Sequence, residues 1–159
     1  ESLDMSENAI RSIPQEIENM EGLKRLNLSG NRLQGSDWIE FLRLLSLEDL
    51  RLSNNLISVL SPKIGELNSL RILDISNNKI ADLPEEISGL IYLKEFNLAG
   101  NEVSAIPKSF KDLEKLEELD VRGNLLRDNL PSFIEQSMPK LERIIREDSD
   151  VEKRVIEVE

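Results

Sequence analysis

Asparagine recurs along this chain at an almost constant interval, and that interval constrains the fold more than any other feature. The six asparagines that share the register are Asn8, Asn31, Asn55, Asn78, Asn101 and Asn124. They are separated by 23, 24, 23, 23 and 23 residues. A fixed period of roughly 20 to 50 residues indicates a repeat architecture, in which each unit buries its apolar side only by stacking on its neighbours. The chain is therefore expected to be a solenoid.

Apolar residues accompany each asparagine at fixed offsets. They lie five and three residues before it and two residues after it, as Leu73, Ile75 and Ile80 do around Asn78. Such alternation predicts a short strand with one buried side. Parallel strands need a long crossover between them. The second half of the repeat, where a proline recurs at nearly the same phase, is suited to an extended or 3₁₀ crossover.

The asparagine column has a physical reason of its own. A buried polar side chain that makes no hydrogen bond costs about 1–3 kcal/mol. An asparagine amide both donates and accepts hydrogen bonds, so a stacked column can bond the backbone of adjacent turns where each strand ends. We interpret the six asparagines as a structural ladder. A ligand pocket lined by them is the less favoured alternative.

The repeat resembles a known family. The pattern L-x-x-L-x-L-x-x-N-x-L, clearest over residues 70–80, resembles the leucine-rich repeat, and the resemblance covers roughly residues 1–141. It implies an α/β solenoid: a right-handed horseshoe with a parallel concave sheet of about six to seven short strands and 3₁₀ or irregular convex segments. We assign residues 1–140 to the repeats, the first of them truncated, and residues 141–159 to a C-terminal capping segment with an acidic tail.

The sequence of the crossovers resembles one subgroup of this family. The form I-P-x-x-I-x-x-L recurs, for example from Leu83-Pro84 to Leu90, and is similar to that of intracellular proteins of the Ras-group and Scribble/erbin type. This likeness implies a protein–protein interaction scaffold in signalling, with a small GTPase or a phosphatase subunit as partner. We expect it to be cytoplasmic and monomeric. Because Leu3 and Met5 have no preceding cap, we also expect the chain to belong to a longer protein.

Repeat two departs from the pattern, because it is one residue longer and lacks the Ile-Pro step. Asp37 followed by Glu40 resembles a capping box, and Ile39, Leu42 and Leu45 follow at near-helical spacing. We predict the single α-helix of the chain here, starting near Asp37. The helix carries Trp38, the only tryptophan. Trp38 is expected to pack in a locally thicker core; the alternative is an exposed anchor for a partner, since tryptophan is enriched at binding hot spots.

Composition excludes several classes of function. The chain has no cysteine and no histidine, which removes thiolate sites, disulfides, the usual general base and the commonest metal ligand. Thirty-one acidic against 20 basic residues leave a net charge of −11, which disfavours nucleic-acid binding. No apolar run approaches the roughly 20 residues that span a bilayer. We expect no catalysis, no cofactor, no metal, no nucleic-acid partner and no membrane span.

Candidate binding residues lie between the leucines, because side chains alternate along a strand and these positions face the concave side. They are Arg25, Asn27, Arg51, Ile72, Asp74, Glu95, Asn97, Glu118, Asp120 and Arg122. Basic residues exceed acidic ones by three over the strands of repeats two to four and their exits, whereas acidic residues exceed basic ones by five from repeat five onward. The imbalance predicts a bipolar face that orients a protein partner. A merely solvated face is the alternative.

Two other functions stay open at this point. One is a fragment of an extracellular or innate-recognition ectodomain of the same family, which the lack of cysteine-bearing caps disfavours. The other is the recognition domain of a larger enzyme whose catalytic part lies elsewhere.

Overall fold

Eight short strands form one sheet in chain order in the computed structural model, which describes residues 1–42, 46–126, 130–146 and 151–153. The strands are β1 Ser2–Asp4, β2 Arg25–Asn27, β3 Asp49–Arg51, β4 Ile72–Asp74, β5 Glu95–Asn97, β6 Glu118–Asp120, β7 Arg143–Ile145 and β8 Val151–Lys153. The first seven run parallel, and β8 pairs antiparallel to β7. The predicted solenoid with an open parallel sheet is confirmed.

Strands β2 to β7 each bury their middle residue. The register places Leu26, Leu50, Leu73, Phe96 and Leu119 side by side on successive strands, and none of them is more than 1% exposed. Since side chains alternate along a strand, the residues before and after the middle one face the opposite side of the sheet. Three residues per strand are therefore enough to build a core on one side and a second surface on the other.

The crossovers behind the sheet are 3₁₀ segments. They span Gln15–Asn19, Pro62–Glu66, Glu85–Gly89 and Lys108–Asp112. Each buries one apolar residue against the sheet, and the ring of Phe110 stacks on that of Phe96 with 6.0 Å between centroids. Neighbouring crossovers approach closely at Gly89, where a Cβ would collide with the carbonyl of Gly65. Strands and crossovers thus enclose one continuous aliphatic core.

The helix prediction is not confirmed as it was made. Repeat two holds a four-residue α-helical turn, α1, at Ile39–Leu42, and a second helix, α2, spans Ser132–Ser137. The carboxylate of Glu40 accepts hydrogen bonds from Lys63 at 2.7 Å. Residues 43–45, over which the predicted helix continues, lie outside the described residues. The Leu130-Pro131 step resembles the proline steps of the other crossovers, so the repeat pattern does not indicate α2.

Trp38 belongs to the core. Its side chain is 3% exposed, and its indole N–H donates a hydrogen bond to the carbonyl oxygen of Gly35 at 3.2 Å. Ile39, the next residue, is 1% exposed. The longer repeat two therefore places its extra volume inside the solenoid. The alternative of Trp38 as an exposed partner anchor is wrong, because no partner can reach a ring that the chain itself covers.

The boundary between residues 1–140 and 141–159 stays a prediction. β7 continues the parallel sheet by pairing with β6, and β8 adds a strand beyond it. The acidic turn expected at residues 147–150 and the tail from residue 154 onward lie outside the described residues. In the part of the chain that is described, none of the helices has the length and apolar character to cross a membrane.

Candidate functional site

The ladder asparagines join successive repeats. Asn78 donates from Nδ2 to the carbonyl oxygens of Leu52 in the preceding repeat and Ile75 in its own, each at 3.0 Å. Its Oδ1 accepts the N–H of Ile57 in the preceding repeat, also at 3.0 Å. The equivalent bonds are made by Asn31, Asn55, Asn101 and Asn124. These amides are bonded to backbone on both sides of each boundary.

A column of left-handed residues precedes the ladder, and sequence reasoning missed it. The residue before each ladder asparagine has a positive φ: Glu7, Gly30, Asn54, Asn77, Gly100 and Gly123, at 52–68°. Glycine and asparagine tolerate this conformation better than other residues do. Their occurrence at five of the six positions was the available signal. The turn lies three residues after the end of each of the strands β1 to β6 and directly before the ladder asparagine.

We define the open face as the two in-register columns that flank the buried middle residues of β1 to β7. The first column is Ser2, Arg25, Asp49, Ile72, Glu95, Glu118 and Arg143, and the second is Asp4, Asn27, Arg51, Asp74, Asn97, Asp120 and Ile145. Nine of the ten candidate residues lie in these columns. The tenth, Arg122, follows β6 and reaches back to Asp120. Ile145, the last residue of the second column, is only 7% exposed.

Aspartate and asparagine in the second column also stabilise the strand ends. Oδ1 of Asp74 accepts hydrogen bonds from the N–H and the hydroxyl of Ser76, at 2.9 and 2.7 Å. Oδ1 of Asn97 likewise accepts the N–H of Ala99 at 3.1 Å. The same bond recurs at Asp4, Asn27 and Asp120. These are local side-chain turns of the kind that Asp and Asn favour. The signal in the sequence was an Asp or Asn two residues before a small residue.

Arg51 interrupts this column. Its guanidinium binds Asp49 on the same strand, with Nε–Oδ1 at 3.0 Å and Nη2–Oδ2 at 3.2 Å, and its side chain is half exposed. Asp49 raises the pKa of Arg51, mainly by the hydrogen bond and further by its charge, with smaller contributions from Asp74 and Glu95. The hydrogen bonds to Asp49 therefore fix the positive charge of Arg51 near the carboxylates of Asp74 and Glu95.

A shallow depression lies on the open face over β4 to β6. Its volume is about 150 Å³, and carboxylates of Asp74, Glu95 and Glu118 line it together with Arg51 and Ile72. At its far side Asp120, 5% exposed, is paired with Arg122, and Glu118 is paired with Arg143 at 3.1 Å. The depression therefore combines acidic groups, one cation and one half-buried aliphatic side chain.

The basic excess over the earlier repeats is partly neutralised. Glu48 lies between Lys24 and Arg71, at 3.2 and 3.6 Å from their nitrogens. These side chains are 39–59% exposed, so each pair contributes at most about 1 kcal/mol. Arg25 is exposed on the first column. The bipolar face stays a prediction with a weaker positive end than residue counting indicates.

The face offers little for metal binding. Among the described residues, no group of three or more carboxylates is placed to hold a metal ion. The chain supplies neither histidine nor cysteine. The arrangement is suited to contact with another surface.

Comparison with known families identifies the class of protein. A family model described as leucine-rich repeat region matches residues 33–157. The match covers well over half of the chain, and the chain belongs to the leucine-rich repeat family. This fold is generally a binding scaffold. The narrower likeness to the Ras-group and Scribble/erbin type is not confirmed. No curated protein sequence matches the chain.

Solved structures share the fold at moderate identity. The ectodomain of the Arabidopsis thaliana membrane receptor kinase GASSHO1/SCHENGEN3 is 32% identical with a TM-score of 0.75, and the match covers 88% of this chain and 17% of that one. The Leptospira interrogans leucine-rich repeat protein LIC12759 is 31% identical with a TM-score of 0.70, over 92% and 42% of the two chains. An internalin from Listeria monocytogenes, 21% identical over 91% and 40%, with a TM-score of 0.76, shows the fold alone. The chain spans less than half the length of each.

Proposed function

We propose that this chain is an interaction scaffold that binds a protein partner through its open face. One observation carries the proposal: the repeats agree in the core and the ladder but differ on the open face. In the first column, the equivalent positions of four successive strands are occupied by Arg25, Asp49, Ile72 and Glu95. The buried neighbour of that position is aliphatic or aromatic in each of the strands β2 to β7. The positions of the open face therefore vary in charge and size, whereas the core positions beside them do not.

The charges indicate the chemistry of the partner. Asp74, Glu95 and Glu118 favour a basic group in the depression, and Arg51 beside them favours an acidic group one strand away. Paired charges of opposite sign fix the orientation of a partner more than they raise its affinity. Structures of the same fold support recognition on such a scaffold, since the GASSHO1/SCHENGEN3 ectodomain was solved in complex with CASPARIAN STRIP INTEGRITY FACTOR 2.

The cellular setting is part of the proposal. We place the interaction in the cytoplasm, in signalling, with a small GTPase or a phosphatase subunit as the partner class. The support is the cysteine-free sequence and the I-P-x-x-I-x-x-L crossovers. Extracellular recognition is the second candidate, which the likeness to a plant receptor ectodomain favours. Labelling of intact source cells with a membrane-impermeant reagent separates the two: the cytoplasmic proposal predicts an unlabelled chain, and labelling contradicts it.

Capture of the partner with matched variants tests the face itself. The chain is used as bait in extract of its source cells, beside Arg51→Glu on the open face and Lys111→Glu on a convex crossover, where the side chain is exposed. The two changes reverse one charge each. We expect Arg51→Glu to reduce recovery of the partner at least about tenfold and Lys111→Glu to leave it unchanged. Equal recovery with all three chains would contradict binding through the open face.

A further inference from the structure

Repeat three exposes two aliphatic side chains just after its ladder asparagine. Leu56 and Val59 are 43% and 53% exposed, whereas Ile57 between them is fully buried. The N–H of Leu56 donates to the carbonyl of Leu33 in the preceding repeat at 2.9 Å, so the backbone here belongs to the stacked repeats. We call the positions one, three and four residues after each ladder asparagine the side face.

Basic side chains flank this aliphatic pair along the solenoid. Arg32 and Lys79 hold the position of Leu56 in the repeats before and after it, and both are exposed. Their N–H groups donate to the preceding repeat at 2.8 Å, as that of Leu56 does, so the three residues form one column. Within the described part of the chain, no carboxylate pairs with either cation. The column therefore presents two positive charges with apolar surface between them.

The side face differs in charge from the chain as a whole. Over repeats one to five its basic residues are Arg11, Arg32 and Lys79, and its acidic residues are Asp82 and Glu102. Three basic against two acidic residues leave a net charge of +1, whereas the whole chain carries −11. The negative charge elsewhere repels a broad anionic surface such as a membrane. A narrow acidic segment contacts the two cations and avoids that repulsion.

Another exposed apolar pair does not offer the same combination. Ile91 and Tyr92 are 49% and 47% exposed. The cation beside them, Lys115, already lies over the ring of Tyr92, 4.1 Å from its centroid. The side face is thus the surface on which aliphatic side chains and cations without a carboxylate partner coincide.

The spacing of the column determines which segment fits. Neighbouring parallel backbones lie about 4.8 Å apart, so the backbones at Arg32 and Lys79, two repeats apart, are separated by roughly 10 Å. A polyproline II segment has three residues per turn and advances about 3.1 Å per residue, so side chains three positions apart lie on one side, roughly 9 Å from each other. Two carboxylates at that spacing match the two cations, and an apolar residue between them lies over Leu56.

We propose that the side face binds an extended segment of a partner protein in which two acidic residues, three positions apart, enclose apolar residues. The two carboxylates pair with Arg32 and Lys79, and an apolar side chain between them covers Leu56 and Val59. Such a contact removes aliphatic surface from water and matches opposite charges across the interface. The side face is separate from the open face, so the inference does not depend on the proposed function.

A peptide titration tests the inference. The isotope-labelled chain is titrated with acetyl-Pro-Glu-Leu-Pro-Glu-Pro-amide, whose prolines favour the extended conformation, and separately with the peptide in which glutamine replaces glutamate. We expect saturable shifts of the Arg32, Leu56 and Lys79 amides and at least about fivefold weaker binding of the glutamine peptide. Equal binding of both peptides, or shifts centred on Ile72 of the open face, would overturn the inference.

Two further titrations distinguish other occupants of the side face. Raising the concentration of the chain without peptide should leave the amides of Arg32, Leu56 and Lys79 unshifted, and so should vesicles that contain phosphatidylserine. Shifts in the first titration would assign the side face to a second copy of the chain. Shifts in the second would assign it to an anionic membrane surface. Either result would overturn the proposal of an acidic peptide segment.

Variants locate the binding surface. Arg32→Gln and Lys79→Gln each remove one cation and should weaken binding of the glutamate peptide about threefold, whereas Lys111→Gln, on an exposed crossover position, should have no effect. Leu56→Ala should weaken binding about fivefold, and Leu125→Ala, at the equivalent exposed position of repeat six, should leave it unchanged. The charge variants leave the core intact, so they remain informative even if Leu56→Ala fails to fold. Undiminished binding by both charge variants, or equal losses from the two leucine variants, would contradict binding at the side face.

Discussion

Two polar columns run along the sheet, and they differ in where their hydrogen-bond partners lie. The ladder amide of Asn101 bonds the backbone of its own repeat and of the preceding one. The open-face amide of Asn97, four residues earlier, accepts the N–H of Ala99 within the same strand end. Residue type is the same in both. We conclude that a polar side chain holds the solenoid together when it bonds the backbone of two repeats. When it bonds only its own repeat, its replacement is expected to cost little stability.

The largest difference is expected for replacement of an interior ladder residue. Asn55→Ala removes three buried hydrogen bonds: the N–H of Leu33 loses its acceptor, and the carbonyls of Leu28 and Leu52 each lose one of two amide donors, keeping Asn31 and Asn78. Each unmade bond in the interior is costly, so we expect the free energy of unfolding to fall by about 3 kcal/mol. Urea denaturation measures it. Asn8→Ala, at the exposed first position, is the matched control and should cost less than about 1 kcal/mol; equal losses would remove the distinction between interior and end.

The turn that carries the ladder is the next most sensitive element. Gly100 has φ +66°, and a Cβ there would collide with the side chain of Asn77 in the preceding repeat. We expect Gly100→Ala to cost about 2 kcal/mol from strain and collision together. Gly35 is the matched control: it has φ +61°, but a Cβ there would meet no other atom, so its replacement measures the backbone strain without the collision. Gly35→Ala should cost about 1 kcal/mol, and thermal denaturation of both variants compares them. A larger loss for Gly35→Ala would contradict this explanation.

A smaller effect on stability is expected on the open face. Arg51 forms an exposed pair with Asp49. Arg51→Ala should therefore lower the free energy of unfolding by less than about 1 kcal/mol, measured by urea denaturation. A loss comparable to that of Asn55→Ala would show that the open face is as structural as the ladder. The matched Arg51→Lys variant keeps the charge and should be indistinguishable from the parent.

The smallest effect concerns one carboxyl of the second column. The hydroxyl of Ser6, then its N–H, then the amide of Asn27 hold the pKa of Asp4 below its usual value. The stabilisation from Asp4 is accordingly present above its unfolded pKa, near 4, and is lost as the pH falls through the lower folded value. Ser6→Ala should move the pKa of Asp4 toward its usual value in an NMR titration. An unchanged pKa would show that the strand-end bond does not form.

Much of the fold could be predicted because repetition amplifies weak signals. A single alternation such as that from Leu73 to Ile75 is ambiguous, whereas the same alternation in six registers is decisive. The ladder followed from the cost of burying an amide. The column of residues with positive φ was missed although glycine or asparagine occupies five of its six positions, and only Glu7 lacks that signal. The dual role of Asp74 was missed because its turn depends on the path of the backbone after the strand.

The remaining differences occur where the repetition fails. Repeat two has one inserted residue and lacks the proline step, so the repeat pattern did not define the boundaries of α1, which depend on tertiary packing. Near the other end, Pro131 precedes a helix although the prolines before it precede 3₁₀ turns. Propensity alone does not separate these outcomes. The residues of the open face could be located from the register, but their ion pairs depend on side-chain reach that a sequence does not show.

The most direct test of the central claim compares Asn101→Ala with Asn97→Ala in one urea denaturation experiment. Both changes remove the same amide from the same repeat, and only the ladder amide bonds across a repeat boundary. We predict a loss of about 3 kcal/mol in the free energy of unfolding for Asn101→Ala and less than about 1 kcal/mol for Asn97→Ala. Equal losses, or a larger loss for Asn97→Ala, would contradict the claim that the ladder holds the repeats together and leaves the open face to vary.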